Sequence, residues 1–213
     1  MTSPYDGLRA ALAAAPVIAI LRSSSATRFA EVTDALLASG VRAAEFTLTT
    51  PGALDALREY AADAPPGLAL GAGTVTTPAD ARAAVEAGAT YLITPATCTD
   101  VIAEAVRLDV PVLPGAYTPT EILTAWRAGA AMVKLFPAAT GGPAYLKAVR
   151  APLPDVPLVP TGGIGAADAP AYLAAGATAL GIGGPLVGDA CEGGSLAALT
   201  DRAAAFLDGI RPR

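Results

Sequence analysis

One pattern occurs four times along the chain: SGVRAAEFT (39–47), AGATYLIT (87–94), AGAAMVKLF (128–136) and AGATALGIG (175–183). In each copy a glycine suited to the left-handed conformation follows the end of a predicted helix, and a short apolar run follows the glycine. The four glycines are 48, 41 and 47 residues apart, about twice the length of one compact strand–helix unit. The pattern therefore predicts four helix-to-strand transitions with one further unit between successive copies.

Four more apolar runs supply the intervening strands: PVIAIL (16–21), LALGAG (68–73), PVLPGA (111–116) and PLVPTGG (157–163). Eight continuous apolar strands that alternate with helices predict an α/β protein with a parallel sheet. The count favours a (β/α)8 TIM barrel, one domain over 1–213, with a short N-terminal helix. A doubly wound open sheet is the alternative, but the GxGxxG turn typical of such sheets does not follow the first strand.

Helix starts are predicted at three threonines, Thr77, Thr99 and Thr118, which are candidate N-caps. Thr118 is followed by proline and, three residues on, by Glu121, the order of a capping box. The segment 26–39 places Phe29, Val32, Ala35 and Leu36 on one helical face.

The composition excludes several kinds of chemistry. The 213 residues contain no histidine, which rules out imidazole catalysis and histidine-ligated metal sites within this sequence. A net charge of −5 argues against a nucleic-acid surface, and no segment reads as a membrane span. Cys98 and Cys191 fit no metal-ligand spacing, and the N-terminus lacks the order of a signal peptide, so we expect a cytoplasmic protein with reduced thiols.

Two charged residues lie inside predicted strands, where burying a charge costs free energy unless it is paired or functional. Glu45 shares the parity of Thr47, and Lys134 shares that of Phe136, so all four are predicted to face the barrel interior. A buried salt bridge would explain the pair without function. Both residues, however, lie near the C-terminal ends of their strands, where barrel active sites form. A desolvated Lys134 with a lowered pKa could form a Schiff base with a ketone, with Glu45 as its proton-transfer partner. Thr47 is a candidate substrate ligand.

Lys147 is the only other lysine, and it lies in a predicted helix, AYLKAVR (144–150), facing solvent. Two glycine pairs, Gly162-Gly163 and Gly183-Gly184, end the last two predicted strands. Loops at these positions of a barrel commonly bind phosphate through backbone N–H groups, although paired glycines also occur in ordinary turns.

With these residues in view, the chain resembles the 2-keto-3-deoxy-6-phosphogluconate (KDPG) aldolase family, which includes 4-hydroxy-2-oxoglutarate aldolases. The resemblance runs from about Val17 to Phe206. It is carried by VIAILR (17–22), GVRAAEFTLTTP (40–51), GAGTV (71–75), YLITP (91–95), PGAYTPTE (114–121), VKLFPA (133–138), GGPAYLKA (141–148), VPTGGI (159–164) and GIGGPLV (181–187).

The resemblance implies a homotrimer and a class I aldolase that needs no metal or other cofactor and acts on a small keto acid. It implies Lys134 as the Schiff-base lysine and Glu45 as the proton-transferring carboxylate. Arg22 matches an arginine at the mouth of the site in part of the family. The positions that match the pyruvyl pocket are Thr74, Pro95, Phe136 and Thr161, and those that match the phosphate loops are Gly162, Gly163, Gly183 and Gly184.

Three departures leave the substrate open. Thr49 stands where some members have arginine, Gly184 where many have serine, and Ala96 where glycine, histidine or asparagine is common. The candidate substrates are the phosphogluconate derivative, its galactonate epimer and unphosphorylated hydroxyoxoglutarate. Two readings from other classes are a phosphosugar isomerase or synthase that forms no imine, and a non-catalytic trimeric scaffold.

Overall fold

The computed structural model describes residues 4–211. Its strands are β1 (Val17–Leu21), β2 (Ala43–Thr47), β3 (Ala69–Gly73), β4 (Tyr91–Ile93), β5 (Val112–Leu113), β6 (Gly115–Ala116), β7 (Val133–Leu135), β8 (Leu158–Pro160) and β9 (Leu180–Ile182). Its α-helices are α1 (Pro4–Ala14), α2 (Phe29–Ala38), α3 (Ala53–Ala62), α4 (Pro78–Glu86), α5 (Thr99–Arg107), α6 (Pro119–Arg127), α7 (Gly142–Arg150), α8 (Ala169–Ala174), α9 (Gly184–Val187) and α10 (Leu196–Ile210). Short 3₁₀ turns cover Ala138–Thr140 and Ala190–Glu192.

All paired strands are parallel, in a six-stranded sheet of order β5-β4-β3-β2-β1-β9 and a three-stranded sheet of order β6-β7-β8. Each predicted strand region contains a strand, but the fifth is divided at Pro114, which has no N–H to give to a ladder. The Pro114 carbonyl still accepts a hydrogen bond from Lys134 N at 2.9 Å, and an isolated parallel bridge joins Thr161 to Gly181. The fold is therefore an α/β fold of the TIM-like kind, with parallel strands and helical crossovers.

Two layers of apolar side chains cover the two faces of the strands. The larger lies between strands and surrounding helices and includes Phe29, Phe46 and Leu57, all inaccessible to solvent. The smaller lies on the inner face, where Leu8 and Leu12 of α1 meet the first inward residues of the strands. Helix α1 thus closes the end at which the strands begin, and the chemistry is left to the opposite end.

Helix starts follow the sequence prediction at two of three positions. Thr77 and Thr118 are N-caps, each in a reciprocal capping box, with Asp80 and Glu121 respectively. The Asp80 box was not predicted, because the usual motif has Glu or Gln at that place. The prediction for Thr99 was wrong: α5 includes Thr99, and Cys98 occupies the cap position without a side-chain hydrogen bond.

None of the helices within residues 4–211 is long and apolar enough to cross a bilayer.

Candidate active site

A cavity of about 530 Å³ opens at the C-terminal ends of the strands. It collects eleven of the twelve residues that the sequence put forward: Arg22, Glu45, Thr74, Pro95, Lys134, Phe136, Thr161, Gly162, Gly163, Gly183 and Gly184. Thr47 is not among its lining residues, because its hydroxyl donates to the Leu21 carbonyl at 3.0 Å and lies 3.1 Å from the Thr50 hydroxyl. Thr47 therefore joins the ends of β1 and β2.

Lys134 occupies the centre of β7 and is 7% exposed. Its Nζ lies 5.0 Å from the centroid of the Phe136 ring. Burial lowers the pKa of Lys134 and the Arg22 charge lowers it further, while Glu45 acts in the opposite direction. A lowered pKa increases the fraction of neutral amine, the form that a Schiff base requires. Lys147, by contrast, is exposed on α7, as predicted.

Glu45 lies in the middle of β2 and is 1% exposed. Burial raises the pKa of its carboxyl group, although the charges of Lys134 and Arg22 act against that shift. Its Oε2 atom is buried and has no hydrogen-bond partner among the described residues, 4–211. The salt bridges within residues 4–211 do not include a Glu45–Lys134 pair. Within the described residues, Glu45 and Lys134 therefore do not form the salt bridge that would explain the pair without function.

Glycines on the inner face create the space for these side chains. A Cβ atom on Gly73 would overlap the carboxyl group of Glu45, and one on Gly181 would overlap the Thr161 hydroxyl. Neither position was identified from sequence, although glycine inside a strand commonly marks a close approach. These glycines allow polar groups to occupy the inner face of the short strands without displacing the backbone.

Arg22 is held at the mouth by a hydrogen bond from its Nη2 to the Thr74 hydroxyl, 3.1 Å long. Thr74 has a φ of 61°, a left-handed conformation that is strained for a β-branched residue. The ends of β1 and β3 thus cooperate to place one guanidinium group beside Lys134 and Glu45, where it can meet an anion.

The two glycine pairs form the opposite wall. Gly162 and Gly163 have φ values of 94° and 74°, and a Cβ on Gly162 would lie 2.9 Å from the Phe136 ring. The Gly162 carbonyl accepts from Ala139 N at 3.1 Å, which joins the loop after β8 to the loop after β7. Gly184 differs, because within residues 4–211 no atom outside its own short helix and its chain neighbours lies within 4 Å of its Cβ position. A side chain at Gly184 would enter open space.

The residues from 4 to 211 contain no group of three or more Cys, Asp or Glu side chains that could hold a metal ion. The chemistry that the cavity itself offers is that of a desolvated amine beside a desolvated carboxylate. That pair, at the C-terminal mouth of a parallel α/β fold, suits an enzyme that forms a Schiff base with a ketone, the chemistry of a class I aldolase.

The chain belongs to the KDPG and KHG aldolase family, whose model it matches over residues 8–200. It is 42% identical over 160 residues to the 2-dehydro-3-deoxy-phosphogluconate aldolase of Pseudomonas aeruginosa, covering 75% of this chain and 71% of that protein. It is 34% identical to the KHG/KDPG aldolase of Escherichia coli, with 94% of each chain covered. The structure of the Legionella pneumophila KDPG aldolase, with pyruvate captured as a covalent carbinolamine, superposes with a TM-score of 0.85 at 29% identity, covering 97% of this chain and 98% of that one.

Replacing Glu45 with glutamine is expected to stabilise the folded protein at neutral pH. Burial raises the pKa of Glu45 above its unfolded value, so the folded state binds that proton more tightly, and ionisation of the side chain opposes folding. The gain should shrink as the pH falls from the raised folded-state pKa towards the ordinary value of 4.5 and vanish below it, where the carboxyl group is protonated in both states.

Urea unfolding at neutral pH and at about pH 4 measures both effects. Glu59→Gln, on the exposed surface of α3, is the matched control and should change little. A Glu45→Gln protein that is less stable than the parent at neutral pH would contradict the prediction.

Proposed function

We propose that the enzyme cleaves 2-keto-3-deoxy-6-phosphogluconate reversibly to pyruvate and glyceraldehyde 3-phosphate through a Schiff base on Lys134. The observation that carries the proposal is that buried Lys134 and buried Glu45 line the same cavity without a salt bridge between them. An amine and a carboxylate held apart in one cavity can each act on a substrate placed between them.

The reaction begins when neutral Lys134 attacks the substrate ketone at C2 and the carbinolamine loses water, leaving an iminium ion. Glu45, directly or through water, removes the proton from the C4 hydroxyl group. The C3–C4 bond breaks, its electron pair moves into the iminium system to give an enamine, and C4 leaves as the aldehyde. Glu45, which now carries that proton, delivers it to C3 of the enamine, and water then releases pyruvate and regenerates Lys134.

The walls of the cavity suit a substrate with two anionic ends. Arg22, held by Thr74, faces an anionic group, and the pyruvyl part lies among Pro95, Phe136 and Thr161. The phosphate lies against the glycine pairs Gly162-Gly163 and Gly183-Gly184, whose backbone N–H groups approach an anion without side-chain hindrance.

Two relatives of this substrate are alternatives within the same mechanism. The galactonate epimer differs only at C4, next to the bond that breaks. Hydroxyoxoglutarate, which gives pyruvate and glyoxylate, lacks the phosphate, and the missing hydroxyl at Gly184 favours it as a second candidate.

We also propose the higher levels of organisation. Residues 1–213 form one domain. The chain that continues through Pro114 from β5 to β6, and the bridge from Thr161 to Gly181, join the two sheets into a closed (β/α)8 barrel. The family resemblance supports a homotrimer, and the unpaired thiols of Cys98 and Cys191 support a cytoplasmic location.

Borohydride reduction in the presence of pyruvate is expected to attach the pyruvyl group to Lys134, because reduction converts the imine into a stable secondary amine. Lys134→Met should abolish the adduct and lower kcat/KM by roughly 10³-fold or more, since the covalent path is lost. Lys147→Met is the matched control and should behave as the parent. Mass spectrometry of peptides locates the adduct.

An adduct on Lys147, or full activity of Lys134→Met, would overturn the assignment. Turnover without any pyruvyl adduct on a lysine would favour the hypothesis of a phosphosugar isomerase or synthase that forms no imine. A folded protein with neither adduct nor turnover of any of the three keto acids would favour the scaffold.

Gly184→Ser is expected to raise kcat/KM for the two phosphorylated epimers by about tenfold, because a hydrogen bond to a charged group contributes about 1.5 kcal/mol. The new side chain enters open space at a position without positive φ. Steady-state kinetics on both epimers and on hydroxyoxoglutarate measure the change. Gly184→Ala, which adds the carbon without the hydroxyl, is the control. An equal gain with hydroxyoxoglutarate, or none with the phosphorylated substrates, would contradict a phosphate at this loop.

Sedimentation equilibrium is expected to give three times the mass of one chain at working concentrations. A monomer that retains full specific activity on dilution would remove the trimer from the proposal.

A further inference from the structure

Tyr91 is a fully buried tyrosine on the inner face of the strands, and the proposed mechanism does not use it. It lies in β4 and belongs to the apolar cluster that faces α1. A phenol at this depth usually has a partner for its hydroxyl group. The hydrogen-bond partner of the Tyr91 hydroxyl, and the strand that the ring crosses to reach it, connect Tyr91 to Glu45.

The strand register places the two residues in one row. Glu45 of β2 pairs with Gly71 of β3, and Gly71 pairs with Tyr91 of β4. Gly71 separates them and has no side chain, and a Cβ atom built on it would overlap the Tyr91 ring. The ring therefore crosses the middle strand through the space that Gly71 leaves.

The Tyr91 hydroxyl donates a hydrogen bond to the Ala44 carbonyl oxygen, with a distance of 2.7 Å. That carbonyl belongs to the peptide unit between Ala44 and Glu45, so the bond restrains the backbone from which the Glu45 side chain extends. Because the Tyr91 hydroxyl donates its proton to the backbone, it does not donate it to the Glu45 carboxyl group. Glu45 Oε2 has no hydrogen-bond partner within residues 4–211. Burial raises the pKa of the Tyr91 phenol and the Glu45 charge raises it further, in accord with their proximity.

We propose that Tyr91 is a positioning residue for the proton-transfer step: its hydroxyl, reaching over Gly71 to the Ala44 carbonyl, holds the Glu45 carboxylate at the substrate. The inference rests on the proposed role of Glu45. It assigns to Tyr91 no contact with substrate and no proton of its own.

Tyr91→Phe separates this role from simple packing, because the ring stays and only the hydrogen bond is lost. The reaction to follow is the exchange of the C3 protons of pyruvate with deuterated water, which requires the imine on Lys134 and proton transfer at C3. We expect kcat for exchange to fall roughly tenfold, since a small misplacement of a catalytic group slows proton transfer. KM for pyruvate, and the fraction of Lys134 trapped by borohydride at equilibrium, should stay within about twofold of the parent values.

Tyr172→Phe is the matched control. Tyr172 is also buried, 3% exposed, and its hydroxyl donates to a backbone carbonyl, that of Ala138, at 3.0 Å. Loss of a buried hydroxyl at Tyr172 tests the general cost of the substitution, and exchange should remain at the parent rate. A purely structural role for Tyr91 would lower thermal stability in both variants and leave kcat for exchange equal in both.

Glu45→Gln distinguishes failure of this inference from failure of the proposed function. If Glu45→Gln keeps the parent exchange rate, Glu45 is not the proton-transfer group and both proposals fail. If Glu45→Gln loses exchange by about 10²-fold or more while folded Tyr91→Phe keeps it, only the role of Tyr91 is overturned. If Tyr91→Phe does not fold, Gly71→Ala is the second variant, because its methyl group displaces the Tyr91 ring but leaves the hydroxyl group. A parent exchange rate in Gly71→Ala overturns the inference. A loss of kcat for exchange at constant KM supports it.

Discussion

The structure depends on keeping one amine and one carboxylate out of water without letting them pair. Lys134 and Glu45 are both nearly inaccessible, yet no ion pair joins them among residues 4–211. Burial of unpaired ionisable groups opposes folding, and the pKa shifts of both residues are the thermodynamic expression of that cost. The apolar layers on both faces of the strands provide the stability that offsets it. The burial that shifts the two pKa values thus also causes a local loss of stability.

Space for the reactive groups comes from glycine. On the inner face Gly71 accommodates the Tyr91 ring, Gly73 the Glu45 carboxyl group and Gly181 the Thr161 hydroxyl. Because neighbouring strands are fixed in register by backbone hydrogen bonds, a missing side chain on one strand becomes a defined cavity beside the next. The cavity is shaped by small residues as much as by the functional ones, and the mouth adds a strained Thr74 that holds Arg22.

Much of the fold and the site could be predicted from local pattern. The parity of Glu45 and Lys134 within apolar strands placed them on one face, and glycine pairs at strand ends located the loop wall. Sequence spacing does not reveal features that depend on partners elsewhere in the chain. The hydrogen bond from the Thr47 hydroxyl to the Leu21 carbonyl on a neighbouring strand is one of these. The fifth strand is divided at Pro114. This proline is present in the sequence, but the continuous apolar run PVLPGA (111–116) favoured a single strand.

The amino-acid sequence by itself determined the alternation of strands and helices and the absence of imidazole chemistry. It also limited the candidate amine nucleophiles of side chains to two lysines. These properties follow from composition and short-range periodicity. Only the tertiary structure decided that Lys134 and Glu45 share a cavity unpaired, that Arg22 is held by Thr74, and that Tyr91 reaches the backbone beside Glu45. The reason is physical: burial, desolvation and hydrogen bonding between distant segments are set by strand register and packing, which join residues far apart in the chain.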